Sequence, residues 1–266
     1  MSSGITLKYW SGRGLMEVPR QMLAIAGLFP GVSVVVLKPL FCEPGLTPPP
    51  PHLQAGYTDV RVSGAPPSGP ELDANLGRLP CLEVGGVTIG QSAAINFYVA
   101  QHTGLLGSSP AEAAQIIAFT EHLRELNQAF RALVPYGTEP TEAAMAAFFD
   151  DSSAADFTGP ADGAKRAARN MKWFMGRLER LVGEGFCVGG KTSLADVMLF
   201  QFFADSLTPE ESATGDLPAH RREPWSSKAR TDAALAAHPR VAACVAGVAA
   251  HPNIKQWLAT RGKQGF

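Results

Sequence analysis

Gly77 to Gly107 reads GRLPCLEVGGVTIGQSAAINFYVAQHTGLLG. Within it, LPCLEV and VTI flank Gly85-Gly86, the pattern of a β-hairpin whose tight turn takes glycines because both central residues need positive φ. Pro80 heads the first of these strands, where a proline removes a ladder bond and so needs a special reason to be there. SAAINFYVAQH then reads as a helix. A hairpin running straight into a helix defines the end of a mixed α/β unit, and the upstream sequence supplies its start. Ile5, Leu7 and Tyr9 alternate as a strand, and Leu15, Val18, Met22, Leu23 and Ala26 share one helical stripe that Gly27 stops. VSVVVL, Val32 to Leu37, is β-branched and reads as a buried strand. The expected order is β-α-β, a long break, then β-β-α.

The break runs from Pro39 to Leu72 and contains PGLTPPPPHLQAG and SGAPPSGP. Proline at that density blocks regular structure, so the stretch is expected to be a solvent loop inserted in the domain. From Ser109 onward the spacing turns helical. Ile116, Phe119, Leu123, Leu126 and Phe130 recur at steps of three and four, as do Met171, Phe174, Met175, Leu178, Leu181 and Val182. In GGKTSLADVMLFQFF, Ser193 caps a helix and Asp196 closes a capping box. GDLPAHRREPWSSKART is a second polar interruption, read as a loop. The expected domains are residues 1–106, α/β with an insertion at about 39–72, and 107–266, all α.

Composition narrows the function. A net charge of −1 offers no basic face for nucleic acid. No apolar run approaches the ~18 residues of a membrane span, and no signal peptide is evident. Cys42, Cys81, Cys187 and Cys244 form no C-x-x-C, and the histidines show no ligand spacing, so neither a disulfide scaffold nor a metal site is expected; the setting fits a reducing cytoplasm.

Three segments resemble one family in the right order: LKYWSGRGLMEVPRQMLAIAG, the 77–107 stretch, and FCVGGKTSLADVMLFQFF. The family is the cytosolic glutathione transferases, and the likeness is to their tyrosine-using, sigma-like branch, which includes the glutathione-dependent prostaglandin D synthases. HPRVAACVAGVAAHPNIKQWLATR is similar to the family's C-terminal helices. The resemblance implies a thioredoxin-like α/β N-terminal domain, an all-α C-terminal domain and a homodimer. It implies glutathione as cosubstrate and a small apolar electrophile or peroxide as its target, with detoxification as the setting and peroxidase or prostaglandin isomerase side activities.

The resemblance also implies roles for residues. Tyr9 would donate a hydrogen bond to the glutathione sulfur and favour its thiolate; a thiol otherwise titrates near about 8.5. Arg13 would assist, or be an ordinary structural arginine. The branch carries a second arginine in an R-G-R pattern, and Leu15 stands there in this chain. Pro80 matches the family's cis-proline, which lets Leu79 pair strand-to-strand with the cysteinyl backbone. Gln91 and Ser92, opening a helix, would take the γ-glutamyl carboxylate, with Ser92 also serving as a cap. Glu125, or Glu121 in another register, would meet the γ-glutamyl amine across the dimer. Arg78, and Lys38 in place of the family's missing tryptophan and lysine, would face the glycyl carboxylate. Trp10, Pro135 and Tyr136 would wall an apolar electrophile site.

Two other readings accompany this one. A fold-keeping ligand carrier or crystallin-like structural protein would fit the missing arginine and the inserted prolines. A glutaredoxin-type oxidoreductase does not fit, because Ser11 and Gly12 stand near where its cysteine would be.

Overall fold

The structure is a computed structural model that describes residues 4–31, 56–63, 69–150, 169–205 and 223–261. They form two compact units: the chain up to Gly107 together with Ala250 onward, and Ser108–Ala249. The last helix thus falls with the α/β unit, packed on its first helix.

The first unit contains β1 (Ile5–Trp10), α1 (Glu17–Ile25), β2 (Tyr57–Val62), β3 (Cys81–Val84), β4 (Val87–Gly90) and α2 (Ser92–His102). Its sheet has the order β2-β1-β3-β4, with β1 parallel to β2 and antiparallel to β3, and β3 antiparallel to β4. The hairpin falls where the glycines put it: Gly85 and Gly86 take φ of 57° and 81°. Gly90 is required for a different reason. A Cβ there would lie 2.3 Å from the Ala74 carbonyl oxygen, because the 3₁₀ segment Pro70–Asn75 crosses the end of β4.

Two expectations change, and a third falls outside what the structure describes. The strand that pairs in parallel with β1 is Tyr57–Val62, inside the stretch read as an irregular loop. YTDVRV carries Tyr57, Val60 and Val62, all strand formers, but the prolines and glycines on both sides masked it. The expected strand Val32–Leu37 lies outside the described residues. Leu15 is not on the buried stripe: the helix opens with a 3₁₀ turn at Gly14–Met16, which leaves Leu15 45% exposed.

The second unit is helical: α3 (Pro110–Leu133), α4 (Glu142–Phe149), α5 (Met171–Leu181), α6 (Leu194–Phe203), α7 (Lys228–Ala236) and α8 (Pro239–Ala250). α9 (Pro252–Thr260) follows and returns to the first unit. Ile116, Phe119, Leu123, Leu126 and Phe130 of α3 are all buried, as their spacing predicts. On α5 the stripe ends early, since Leu181 is 54% exposed while Val182, one residue beyond the helix, is buried. Ser193 and Asp196 close the capping box of α6. The polar interruption holds more than a loop. Trp225 is buried, with ring centroids 5.5 Å from Phe130 and 5.2 Å from Phe202, and Lys228 starts α7. Among the described residues no single helix is long and apolar enough to cross a membrane.

Candidate active site

Register brings Tyr9, Trp10, Leu79, Pro80, Gln91 and Ser92 to one end of the sheet. β1 runs out at Tyr9 and Trp10. Lys8 pairs with Cys81, so the antiparallel ladder carries Tyr9 toward Pro80 and Leu79, just ahead of β3. Cys81 in turn pairs with Gly90, so the chain leaving β4 delivers Gln91 and Ser92 at that same end.

Tyr9 is half-buried rather than sealed in the core. Its hydroxyl oxygen lies 3.4 Å from the Leu15 amide, which donates to it. A phenol whose oxygen accepts a hydrogen bond is polarised into a better donor through its own hydrogen. Gly14, at φ +39°, makes this approach possible, because a Cβ there would stand 2.8 Å from the hydroxyl oxygen. The other tyrosine in the sheet, Tyr57, is unsuited to the role. It is buried, and that burial, reinforced by the Asp59 charge, pushes its phenol far up.

Behind the turn sits a network of buried charges absent from the sequence reading. Arg20 makes paired 3.0 Å hydrogen bonds to the two carboxylate oxygens of Asp59, and a third 3.0 Å bond to the Gly12 carbonyl. Arg61 joins the same carboxylate at 2.7 Å. Glu17 accepts from the Trp257 indole at 2.8 Å and from Arg261 at 2.9 Å, tying α1 to α9. Arg20 thereby holds the backbone of the turn that presents Tyr9. No local signal marked this network, since the spacing of Glu17, Arg20 and Gln21 reads as an ordinary polar stripe on α1. Arg13 is wholly buried, so its guanidinium reaches a ligand only through other groups.

The Leu79–Pro80 bond is cis, as the resemblance implied. The Pro80 carbonyl accepts from the buried Asn75 amide at 2.9 Å, and Arg78 is exposed, its Nε donating to the Asn75 carbonyl at 3.3 Å. Gln91, not Ser92, is the N-cap of α2, and its side chain makes no cap bond. Ser92 is the first helical residue, so the capping role foreseen for it belongs to its neighbour. Gln91 has φ 66° and ψ 124°, an unfavourable backbone for a residue with a Cβ. Such outliers concentrate at ligand clamps. The first-turn amides of α2 have no intrahelical acceptors and carry the positive end of the helix dipole, a setting that suits a carboxylate.

The remaining candidates lie elsewhere. Lys38 is outside the described residues. In the helical unit, Glu121 is paired with Arg124 at 2.5 Å and Glu125 with Arg169 at 2.8 Å, both at the surface. Pro135 and Tyr136 form an exposed turn after α3, with Tyr136 71% exposed and the Arg131 guanidinium 4.1 Å from its ring centre.

A four-stranded mixed sheet followed by a helical unit, with a cis-proline ahead of β3, is the glutathione transferase fold. Among solved structures the chain is similar to a Nu-class GST from Haemonchus contortus, with a TM-score of 0.61, a coverage of 99% of each chain and 20% identity. Among curated proteins it is similar to glutathione S-transferase 1 of Ascaris suum, 27% identical over 195 residues, or 72% of this chain and 77% of that one. It is likewise similar to hematopoietic prostaglandin D synthase of Gallus gallus, 28% identical over 175 residues, or 64% of this chain and 70% of that one. No family model matches the chain.

Proposed function

We propose that the protein is an enzyme, a glutathione S-transferase that takes glutathione as cosubstrate and adds its sulfur to a small apolar electrophile or peroxide. The observation that carries this reading is the convergence of Tyr9, Leu79-Pro80 and Gln91-Ser92 at one end of the sheet, with Gln91 held at positive φ. The backbone of Leu79 bonds the cysteinyl residue as an added strand. Ser92 and the first amides of α2 take the γ-glutamyl carboxylate, and Arg78 faces the glycyl carboxylate. Tyr9 then donates to the sulfur. Lowering a thiol pKa by two units takes about 2.7 kcal/mol. That is the scale of one hydrogen bond to a charged group, roughly 1.5–3 kcal/mol, so the phenol accounts for most of the activation. Arg13 acts at a distance, its buried positive charge favouring the anion.

In this reading the enzyme is tyrosine-using and sigma-like, works in the cytoplasm and is a homodimer. Glu125 or Glu121 meets the γ-glutamyl amine of the glutathione bound to the other subunit, and must leave its arginine to do so. Trp10, Pro135 and Tyr136 serve the electrophile. The test is conjugation of glutathione to chlorodinitrobenzene: Tyr9→Phe lowers the rate about 10–1000-fold with an unchanged fold. Equal rates in the two proteins refute the role of Tyr9.

One observation favours a second reading, a binding protein with the same fold. Leu15 is exposed where the branch carries an arginine, and Arg13 is wholly buried, so that turn offers no exposed guanidinium to a bound thiolate. A wild type that binds immobilised glutathione but conjugates nothing selects this reading.

A further inference from the structure

The helical unit holds a pair of thiols that the proposed chemistry does not use. Cys187, in the loop between α5 and α6, and Cys244, on α8, are both buried and both free. Their sulfurs and an Asp196 carboxylate oxygen all lie within 4.8 Å of one another. The carboxylate is already committed. One oxygen accepts from the Cys187 amide at 2.7 Å, and the other from the Ser193 amide at 2.8 Å and the Ser193 hydroxyl at 2.7 Å. The carboxylate's partners are thus the backbone and hydroxyl that begin α6, and the groups beside it with no such structural task are the two thiols.

The surrounding contacts hold that pair in register. Both oxygens of Glu179 accept from the first amides of α8, Arg240 at 3.0 Å and Val241 at 3.1 Å. Arg240 also donates a short hydrogen bond to the Val182 carbonyl. One turn beyond Cys244, a Cβ at Gly247 would already touch the Gly185 carbonyl oxygen at 3.7 Å. α8 is therefore clamped along the loop that carries Cys187.

We propose that Cys187 and Cys244 are a modification site, closed by peroxide into an intramolecular disulfide that staples α8 to the capping loop of α6. One sulfur, as thiolate, attacks hydrogen peroxide; the O–O bond breaks, giving a sulfenic acid and hydroxide. The second thiol attacks that sulfur, the S–S bond forms, and its proton leaves with the hydroxyl as water. Two thiols are oxidised by two electrons, and one peroxide becomes two waters. Bond formation needs the sulfurs drawn in to about 2.05 Å, a short travel for two neighbouring side chains. Burial first, then the hydrogen bond with Cys244, pushes the Cys187 thiol well up, so the reaction is slow at neutral pH and waits on opening of the glycine-rich loop.

The test uses the whole protein, reduced and then exposed to hydrogen peroxide until its thiol content is constant. Peptide mapping after alkylation is expected to recover a Cys187–Cys244 linked pair, lighter by two hydrogens and released by dithiothreitol. The oxidised protein is expected to melt about 5 °C or more higher, because the cross-link restricts the unfolded chain. Cys244→Ala is expected to abolish both the linked peptide and the shift. Linkage of either residue to Cys42 or Cys81 overturns the proposal, as does conversion of either to a sulfinic acid. Persistence of both thiols when the loop is opened in sub-denaturing urea overturns it as well.

Discussion

Replacing Gly14 with alanine tests whether catalysis depends on the exact seat of the Tyr9 hydroxyl. The new Cβ would stand 2.8 Å from the hydroxyl oxygen, 3.0 Å from Cε1 and 3.3 Å from Cζ. The phenol is the far end of a side chain that can swing, so the overlap is relieved by moving it roughly 0.5 Å outward. Stability then falls mainly through the backbone, since alanine at φ +39° costs on the order of 1 kcal/mol. That corresponds to a melting point about 2–4 °C lower. Rate falls more steeply, because a misplacement approaching 1 Å can cost on the order of 100-fold. The expectation for Gly14→Ala is a loss of about 10–100-fold in conjugation of chlorodinitrobenzene, with glutathione KM nearly constant. Adding Gly14→Ala to Tyr9→Phe should cost little more, since both act on one hydroxyl. Wild-type turnover in a Gly14→Ala protein that shows the expected melting loss would refute the reasoning.

Other perturbations reach the remaining parts of the site. Ser92→Ala removes a donor to the carboxylate and should raise glutathione KM about 10–100-fold while kcat stays within a few-fold, as measured by steady-state kinetics. Arg20→Met leaves Asp59 short of its main partner in the interior and should destabilise the protein by about 3–5 kcal/mol in urea titration, part of it recovered by adding Asp59→Leu. His251 caps α9 by accepting from the Asn253 amide at 3.2 Å, and burial holds its pKa below the ordinary histidine value. The unfolded chain therefore takes up the proton first. The cap's contribution is complete above the ordinary value and is lost as pH falls through it toward the lower folded value. Melting curves from pH 8 to 5 should show that fall in wild type and a shallower one in His251→Asn.

Local rules read correctly wherever local chemistry decides. Gly85-Gly86 specify their hairpin through positive φ, Ser193 and Asp196 specify a helix start, and the apolar steps of α3 specify its buried face. They failed where a longer-range partner decides. Tyr57–Val62 becomes a strand because β1 offers it a parallel ladder, which outweighs the prolines around it. Glu17 and Arg20 look like surface charges until Trp257, Arg261 and Asp59 supply their partners from distant parts of the chain. Of the candidate site, Tyr9, Pro80 and Gln91-Ser92 were named through the resemblance to the transferases rather than by any local rule, and the structure sets each of them at an element boundary. Gly14 was not legible, since its role depends on where a side chain five residues earlier ends up. The nearness of Cys187 to Cys244 was equally invisible, being a product of how α8 folds back on the loop.

The most direct measurement is the titration of enzyme-bound glutathione by the ultraviolet absorbance of its thiolate, in wild type and in Tyr9→Phe. With the phenol donating to the sulfur, the bound thiol should titrate about two units below the free value of roughly 8.5, and return most of the way toward it in the variant. An identical titration in the two proteins, with glutathione bound in both, would mean that the Tyr9 hydroxyl does not stabilise the thiolate.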